Sequence, residues 1–352
     1  MKGLLEHPPI APFPHCPPLD GYHCITCSLA KMYHHAGHPL SEDMLLGLGA
    51  GMGFIYWQMK MDAGTYIFIG GRGNTKEFYK DLGARTGVEI REVTTSSAFK
   101  AEASLLRLLA EGEPAMLGGD MGLLPWFNMP GDYHFGGHAF VACGFDGHDT
   151  VLASDMDQHM TGRKKGFYAP ITLEQLRQAR NSPFKPFPPK NLRLEFDFSG
   201  FRKPGPGDIV PAIEQTIDAH LKPPIKNFGV AGMRYTASQI LKWPALFPEH
   251  ELRMNLFNLY IFIEIGGTGG GCFRKMYSRF LDEAAAITGN RDLAKAGAMF
   301  WDSGAKFSEI GLMFKDAQRM KDVEKKIEVA SQKFAEIAGI EEEAYRVLKE
   351  TL

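Results

Sequence analysis

The sequence has no uninterrupted apolar run of the ~18 residues that a membrane-spanning helix needs. The nearest candidate, Leu256 to Ile265, is too short and contains Asn258 and Glu264. No membrane partner is expected. Charge of one sign is lacking as well: 39 Lys and Arg stand against 41 Asp and Glu, a formal net charge of −2. No polyanion-attracting field results, so nucleic acid is not an expected partner. Cysteine is scarce, five in 352 residues and odd in number. That argues against a disulfide scaffold and for a reducing compartment, here the cytoplasm. The opening MKGLLEHPPIAPFPHCPP breaks into prolines before the apolar core of a signal peptide forms. Internal repeats and low-complexity blocks are absent.

What is present is the composition of a globular chain, 44% hydrophobic and 23% charged, long enough for two domains. Prolines cluster between Pro183 and Pro206, and within that stretch Leu192, Leu194, Phe196 and Phe198 alternate with polar residues as a half-buried strand. The boundary is placed just after it, giving domains 1–202 and 203–352. The first mixes helical and strand periods. Ile25, Leu29, Met32, Tyr33 and Ala36 form one apolar stripe of a helix, and short strands and helices follow, so the class is α+β. The second is mainly helical. Near its end Met320, Val323, Ile327, Ala330, Phe334 and Ile337 step by threes and fours. The seam predicts a helical hairpin packed on its own domain, with a homodimer through the C-terminal helices as the alternative, and Gly339 is its candidate C-cap.

Cys24 follows Pro17-Pro-Leu-Asp-Gly-Tyr-His, a stretch that resists helix, and the apolar stripe starts at Ile25. The thiol therefore falls in the first helical turn. Unpaired N–H groups and the positive end of the dipole favour a thiolate there, and the same N–H groups can receive an oxyanion. A small buried hydrophobe is the bland reading of such a cysteine. Cys24-x-x-Cys27 also admits a redox pair, or a zinc site completed by His134 and His138. The first lacks a preceding strand and the second a further C-x-x-C pair, so no metal or cofactor is expected.

The segment from His138 to Asp155 contains Asp146-Gly147 between two apolar runs, the signature of a two-residue hairpin turn. With those two as the turn residues, His138 lies opposite Asp155 on one face; moving the turn by one residue would pair it with Asp157. A Cys–His pair with an orienting carboxylate is the minimal machinery of thiol acyl transfer. Cys24, His138 and Asp155 are the candidate catalytic residues.

Two glycine runs remain. Gly47 to Gly53 follows a helix and precedes a strand, the wrong order for a phosphate loop, and reads as a close backbone passage. Gly266 to Gly271 lies between the apolar run Leu259–Ile263 and a helix bearing Arg274 and Lys275. That order admits an anion site, against close helix packing as the plainer reading.

Together these segments resemble a known family. His23-Cys24, Ser41-Glu-Asp-Met-Leu-Leu-Gly-Leu-Gly-Ala-Gly-Met-Gly-Phe-Ile-Tyr56, Asp120-Met-Gly-Leu-Leu-Pro125, His134-Phe-Gly-Gly-His138 and the hairpin are similar to the N-terminal domain of butirosin biosynthesis protein H. Gly229 to Arg234, Trp243-Pro244 and Glu264 to Tyr277 resemble the uncharacterised domain that accompanies it. The resemblance implies a papain-like fold and a Cys24/His138/Asp155 triad. It also implies acyl transfer from a carrier-protein or other acyl thioester to a small-molecule amine or hydroxyl, through an acyl-cysteine. One departure is that papain-like peptidases place a Gln upstream of the cysteine, and residues 1–23 contain none. The oxyanion is then expected on the Cys24 N–H, with Tyr22 or His23. Asp120 and His134 join these as candidate substrate-binding residues, and Glu264, Thr268 and Arg274 are candidates from a C-terminal domain covering the cleft. The rival readings are a cysteine peptidase or amidohydrolase, and a non-catalytic papain-like binding protein.

Overall fold

The computed structural model describes residues 10–61, 64–131, 133–185 and 187–352. It forms two compact units, one built from residues up to Leu45 with Gly87–Arg202, the other from Leu46–Thr86 with Lys203–Leu352. The chain thus passes between units near residue 202, but the expected continuous 1–202 domain is interrupted, because residues 46–86 belong to the second unit. The elements are, in order, α1 (Cys24–His35), α2 (Glu42–Leu48), β1 (Met52–Met61), β2 (Gly64–Arg72), α3 (Phe78–Thr86), β3 (Glu89–Val93), α4 (Ala98–Ala110), β4 (Ala115–Gly119), β5 (His138–Phe145), β6 (Thr150–Met156), β7 (Gly166–Thr172), α5 (Leu173–Arg180), β8 (Arg193–Asp197), α6 (Pro206–Leu221), α7 (Gly229–Ile240), α8 (Trp243–Leu246), α9 (Glu249–Tyr260), α10 (Arg274–Thr288), α11 (Arg291–Met313) and α12 (Val323–Thr351). The class is α+β with a helical C-terminal region. No helix among the described residues is long and apolar enough to cross a membrane.

The first unit is built on a six-stranded antiparallel sheet of order β3-β8-β4-β5-β6-β7. Its central strands β4, β5 and β6 are buried on both faces, with successive side chains pointing to opposite sides. Leu117, Phe140, Ala142, Val151, Ala153 and Ile171 form a core with Leu105 and Leu109 of α4 and Leu176 and Ala179 of α5. The helix α1 lies on the other face, with Tyr33 edge-on to Phe198 at 5.1 Å. Ser97 caps α4, and Thr172 with Gln175 forms a capping box on α5.

In the second unit β1 and β2 form an antiparallel hairpin beside helices α3 and α6–α12. The Gly47–Gly53 run is a close passage: a Cβ at Gly49 would meet the Phe78 ring at 2.2 Å, and one at Gly53 the Gly73 backbone at 2.5 Å. The seam residues Ile327, Ala330, Phe334 and Ile337 are buried inside this unit. Gly339 is not a C-cap. It sits on the exposed side of a single helix that runs on to Thr351, because Ala344, Tyr345 and Leu348 continue the buried stripe.

Candidate active site

Helix α1 opens at Cys24. Its first i→i−4 bond is the Cys27 N–H to the His23 carbonyl, 2.8 Å, so the N–H groups of Cys24, Ile25 and Thr26 have no intrahelical partner. The Cys24 side chain is buried beside Cys27, Met156, Leu19 and Ile25. Its sulfur helps raise the pKa of His138, which is the first residue of β5 and stands at the end of the sheet. His138 Nε2 meets Asp155 Oδ2 at 2.8 Å, which leaves Nδ1 as the nitrogen for Cys24. This orientation is the reverse of the serine-triad template, where Nδ1 faces the acid.

Asp155 is held from three sides. Its Oδ2 also accepts from the Trp126 indole N–H at 2.9 Å, and Oδ1 accepts the Met156 N–H at 2.8 Å. The Phe127 ring stands edge-on to His138, with centroids 5.0 Å apart. Burial pulls the imidazole down, but the charge and hydrogen bond of Asp155, with the Cys24 sulfur, outweigh it and hold His138 up to about 10. The imidazolium form of His138 is therefore the favoured one. Cys27 is a different group. Its Sγ donates to the Leu19 carbonyl at 3.5 Å, and burial pushes its thiol well up, so it stays protonated and does not compete as a nucleophile. The described residues contain no cluster of three or more His, Cys, Asp or Glu able to hold a metal.

The structure corrects the expected hairpin register. The turn is not the two residues Asp146-Gly147. It runs through Asp149, with Asp146 Oδ1 accepting the N–H groups of His148, Asp149 and Thr150. Phe145 then pairs with Val151 and Gly144 with Leu152, but an irregularity at Cys143 leaves Ala142 opposite Ala153 and Val141 opposite Ser154. Continued to the strand end, this register sets Asp155 opposite Phe140, one diagonal step from His138.

The other expected residues are used differently. The backbone N–H groups of Tyr22 and His23 both donate to Glu42, at 2.7 and 3.2 Å, so they are committed before any oxyanion arrives; this corrects their expected role. Asp120 is a buried hub. Its Oδ1 accepts the N–H groups of Phe135 and Gly122, and its Oδ2 accepts from His134 Nδ1 at 2.9 Å and from the Ser182 hydroxyl at 2.5 Å. It anchors the segment that carries Trp126 and Phe127. The His134 ring stacks on Phe184, centroids 3.4 Å apart.

Glu264, Thr268 and Arg274 lie in the second unit and are occupied there. Arg274 is fully buried. It donates from Nε and Nη2 to Glu341, at 2.8 and 3.1 Å, and from Nη1 to the carbonyls of Gly53 and Cys272. Its guanidinium has no face left for a substrate anion. Glu264 accepts the Gly271 N–H and Thr268 donates to the Ile263 carbonyl. The run before the glycines is not a strand either: α9 continues into a π-helical turn over Ile261–Ile265. The strand–glycine–helix order of an anion loop is therefore missing. Two site residues escaped the sequence reading. Glu42 and Trp126 are distant in sequence from the residues they touch, and no local spacing announces them.

A cysteine at a helix start, coupled to a buried His–Asp pair on an antiparallel sheet, defines a candidate thiol site in an α+β unit. Residues 23–156, which span all three of these side chains, match the family butirosin biosynthesis protein H, N-terminal. Residues 174–348 match a domain of unknown function, DUF4872. No curated protein matches the chain significantly.

Proposed function

We propose that the protein is a cysteine acyltransferase of small-molecule biosynthesis on a papain-like scaffold, working in the cytoplasm. The observation that carries this reading is the buried His138–Asp155 hydrogen bond, with the Cys24 sulfur at the start of α1 acting on the same histidine. A family named for a biosynthetic role supports it.

In the proposed reaction the Cys24 thiolate attacks the carbonyl of an acyl thioester, on a carrier protein or a comparable donor. The oxyanion rests on the Cys24 N–H at the positive end of α1. The carbon–sulfur bond to the donor breaks, and the donor thiolate takes the proton from His138. An amine or hydroxyl acceptor then gives its proton to His138 and attacks the acyl-cysteine. The amide or ester forms, the Cys24–acyl bond breaks, and the thiolate is restored. Asp155 keeps the imidazole aligned through both transfers. A single oxyanion donor suits this chemistry, because a thioester is more reactive than an amide.

The test is intact-mass analysis after incubation with an N-acetylcysteamine acyl thioester. The wild type should gain one acyl group, mapped to Cys24, and Cys24→Ala should gain none. Adding an amine should discharge the adduct as amide. Acylation at Cys27, or release of free acid regardless of acceptor, would overturn the transferase reading, the second outcome in favour of a hydrolase.

A further inference from the structure

Glu42 stands in the first turn of α2, yet its carboxylate is turned to the start of α1. Oε2 accepts the Tyr22 N–H at 2.7 Å. Oε1 accepts the His23 N–H at 3.2 Å and the Thr26 hydroxyl at 2.9 Å. The His23 side chain makes no capping bond to α1, so the turn that delivers Cys24 is held by this carboxylate instead. The opposite edge of the turn is held too: Gly21 exchanges both main-chain hydrogen bonds with Lys164, at 2.9 and 2.6 Å. A Cβ at Gly21 would lie 2.8 Å from Glu42 Oε2 and 2.6 Å from Cys27 Sγ. The turn is therefore clamped on both edges, at a place where no side chain fits between clamp and backbone.

We propose that Glu42 is a positioning residue for Cys24. Its carboxylate fixes the Tyr22–His23 turn so that the Cys24 sulfur meets His138 and the Cys24 N–H faces the oxyanion. This rests on the reading of Cys24 as the nucleophile. The charge-assisted bonds to two N–H groups and a hydroxyl need the carboxylate form. A protonated Glu42 turns one acceptor oxygen into a donor that faces donors.

The arrangement has a pH signature. Burial pushes the Glu42 carboxyl up to about 7; the His23 N–H, Thr26 hydroxyl and Tyr22 N–H pull it down, and Asp43 on the same helix pushes it up. From α1, Cys27 senses the Glu42 charge together with Lys31, Asp155 and Cys24. The clamp therefore tightens as pH rises through about 7.

The experiment measures iodoacetamide modification of Cys24 in the full-length protein between pH 5.5 and 9, read by peptide mass. The wild type should show an inflection near pH 7 besides that of the thiol itself. Glu42→Gln should lose this inflection and react at least tenfold more slowly at pH 7.5, with circular dichroism unchanged. Thr26→Val removes one bond that favours the carboxylate, and should move the inflection above 7. A wild-type pH profile in Glu42→Gln, or an unmoved inflection in Thr26→Val, would overturn the proposal. The probe needs no acyl donor, so its outcome is independent of the acylation test. Failure there removes the acyl chemistry; failure here removes only Glu42.

Discussion

His138 and Asp155 meet along a diagonal of the β5–β6 ladder: the register sets Asp155 against Phe140, two residues from His138, and the side chains close the gap to 2.8 Å. Diagonal neighbours on one face of an antiparallel pair lie about 7–8 Å apart at the backbone, within reach of long and aromatic side chains. The irregularity at Cys143 makes this possible. Without it the pairing of Gly144 with Leu152 would carry on to the strand end, and Asp155 would point to the opposite face. A one-residue slip turns a whole strand over, and here one extra residue turns β6 so that its carboxylate shares the histidine's face.

Trp126 holds the free side of that carboxylate. Trp126→Phe keeps the ring and removes only the N–H that reaches Asp155 Oδ2. A hydrogen bond to a charged group is worth about 1.5–3 kcal/mol, so the acyl-transfer kcat should fall by roughly 10- to 150-fold with KM for the donor little changed. Steady-state kinetics check this. An unchanged kcat would mean that Met156 and His138 alone orient the acid.

The His138 shift predicts a pH dependence of stability. Its folded value is raised to about 10 from an ordinary 6.5, so its contribution is fully present below about 6.5 and is lost as pH rises through about 10. Lys164 runs the other way: burial lowers it from 10.5 to about 8, a cost present below about 8 that lifts as pH rises toward 10.5. The two are separated by comparing thermal melts of the wild type with Asp155→Asn, which keeps Lys164 and removes the main support of His138. The difference in Tm should be largest near pH 6 and shrink steadily to pH 10. A difference that stays flat would contradict the His138 assignment.

Much of this was legible in the chain. The i, i+4 stripe behind Cys24 and the proline-glycine arm before it place the thiol at a helix start, because both are local signals. The His138–Asp155 face was legible as well, but its register was not, since Asp146 gathers three N–H groups into a longer turn and the Cys143 irregularity then restores the parity. The path of residues 46–86 into the second unit had no local mark at all. Only the glycines Gly47 to Gly53 hinted at crowding, without naming the Phe78 and Gly73 atoms that cause it. Arg274 read as an anion ligand because an arginine after glycines looks exposed; its partner Glu341 lies 67 residues on.

That buried pair gives a stability prediction. Arg274 and Glu341 are both fully buried, and the Ser303 hydroxyl donates to the same Glu341 oxygen at 2.5 Å. Removing one partner strands the other charge, at a cost of about 3–5 kcal/mol. Arg274→Met and Glu341→Gln should each lower the denaturation midpoint strongly, and the double variant should recover part of the loss. Neither should raise KM for the acyl donor out of proportion to the fraction folded. A selective rise in KM for Arg274→Met would restore the arginine as a substrate ligand.

Asp120 tests whether the segment above His138 is held from its root. Its two oxygens gather four donors from Gly122, Phe135, His134 and Ser182, and the segment between them carries the Trp126 and Phe127 contacts to Asp155 and His138. Asp120→Asn replaces one acceptor oxygen with a donor facing donors, and an unsatisfied buried group costs about 1–3 kcal/mol. His134→Ala deletes one donor and leaves the carboxylate bound by the other three. If Asp120 acts as the anchor, Asp120→Asn should lower both Tm and kcat, and amide hydrogen exchange should speed up across residues 121–131. His134→Ala should leave exchange there near the wild-type rate. The opposite ranking, with His134→Ala raising KM for the acceptor while Asp120→Asn is mild, would make the imidazole a substrate contact and Asp120 merely its support.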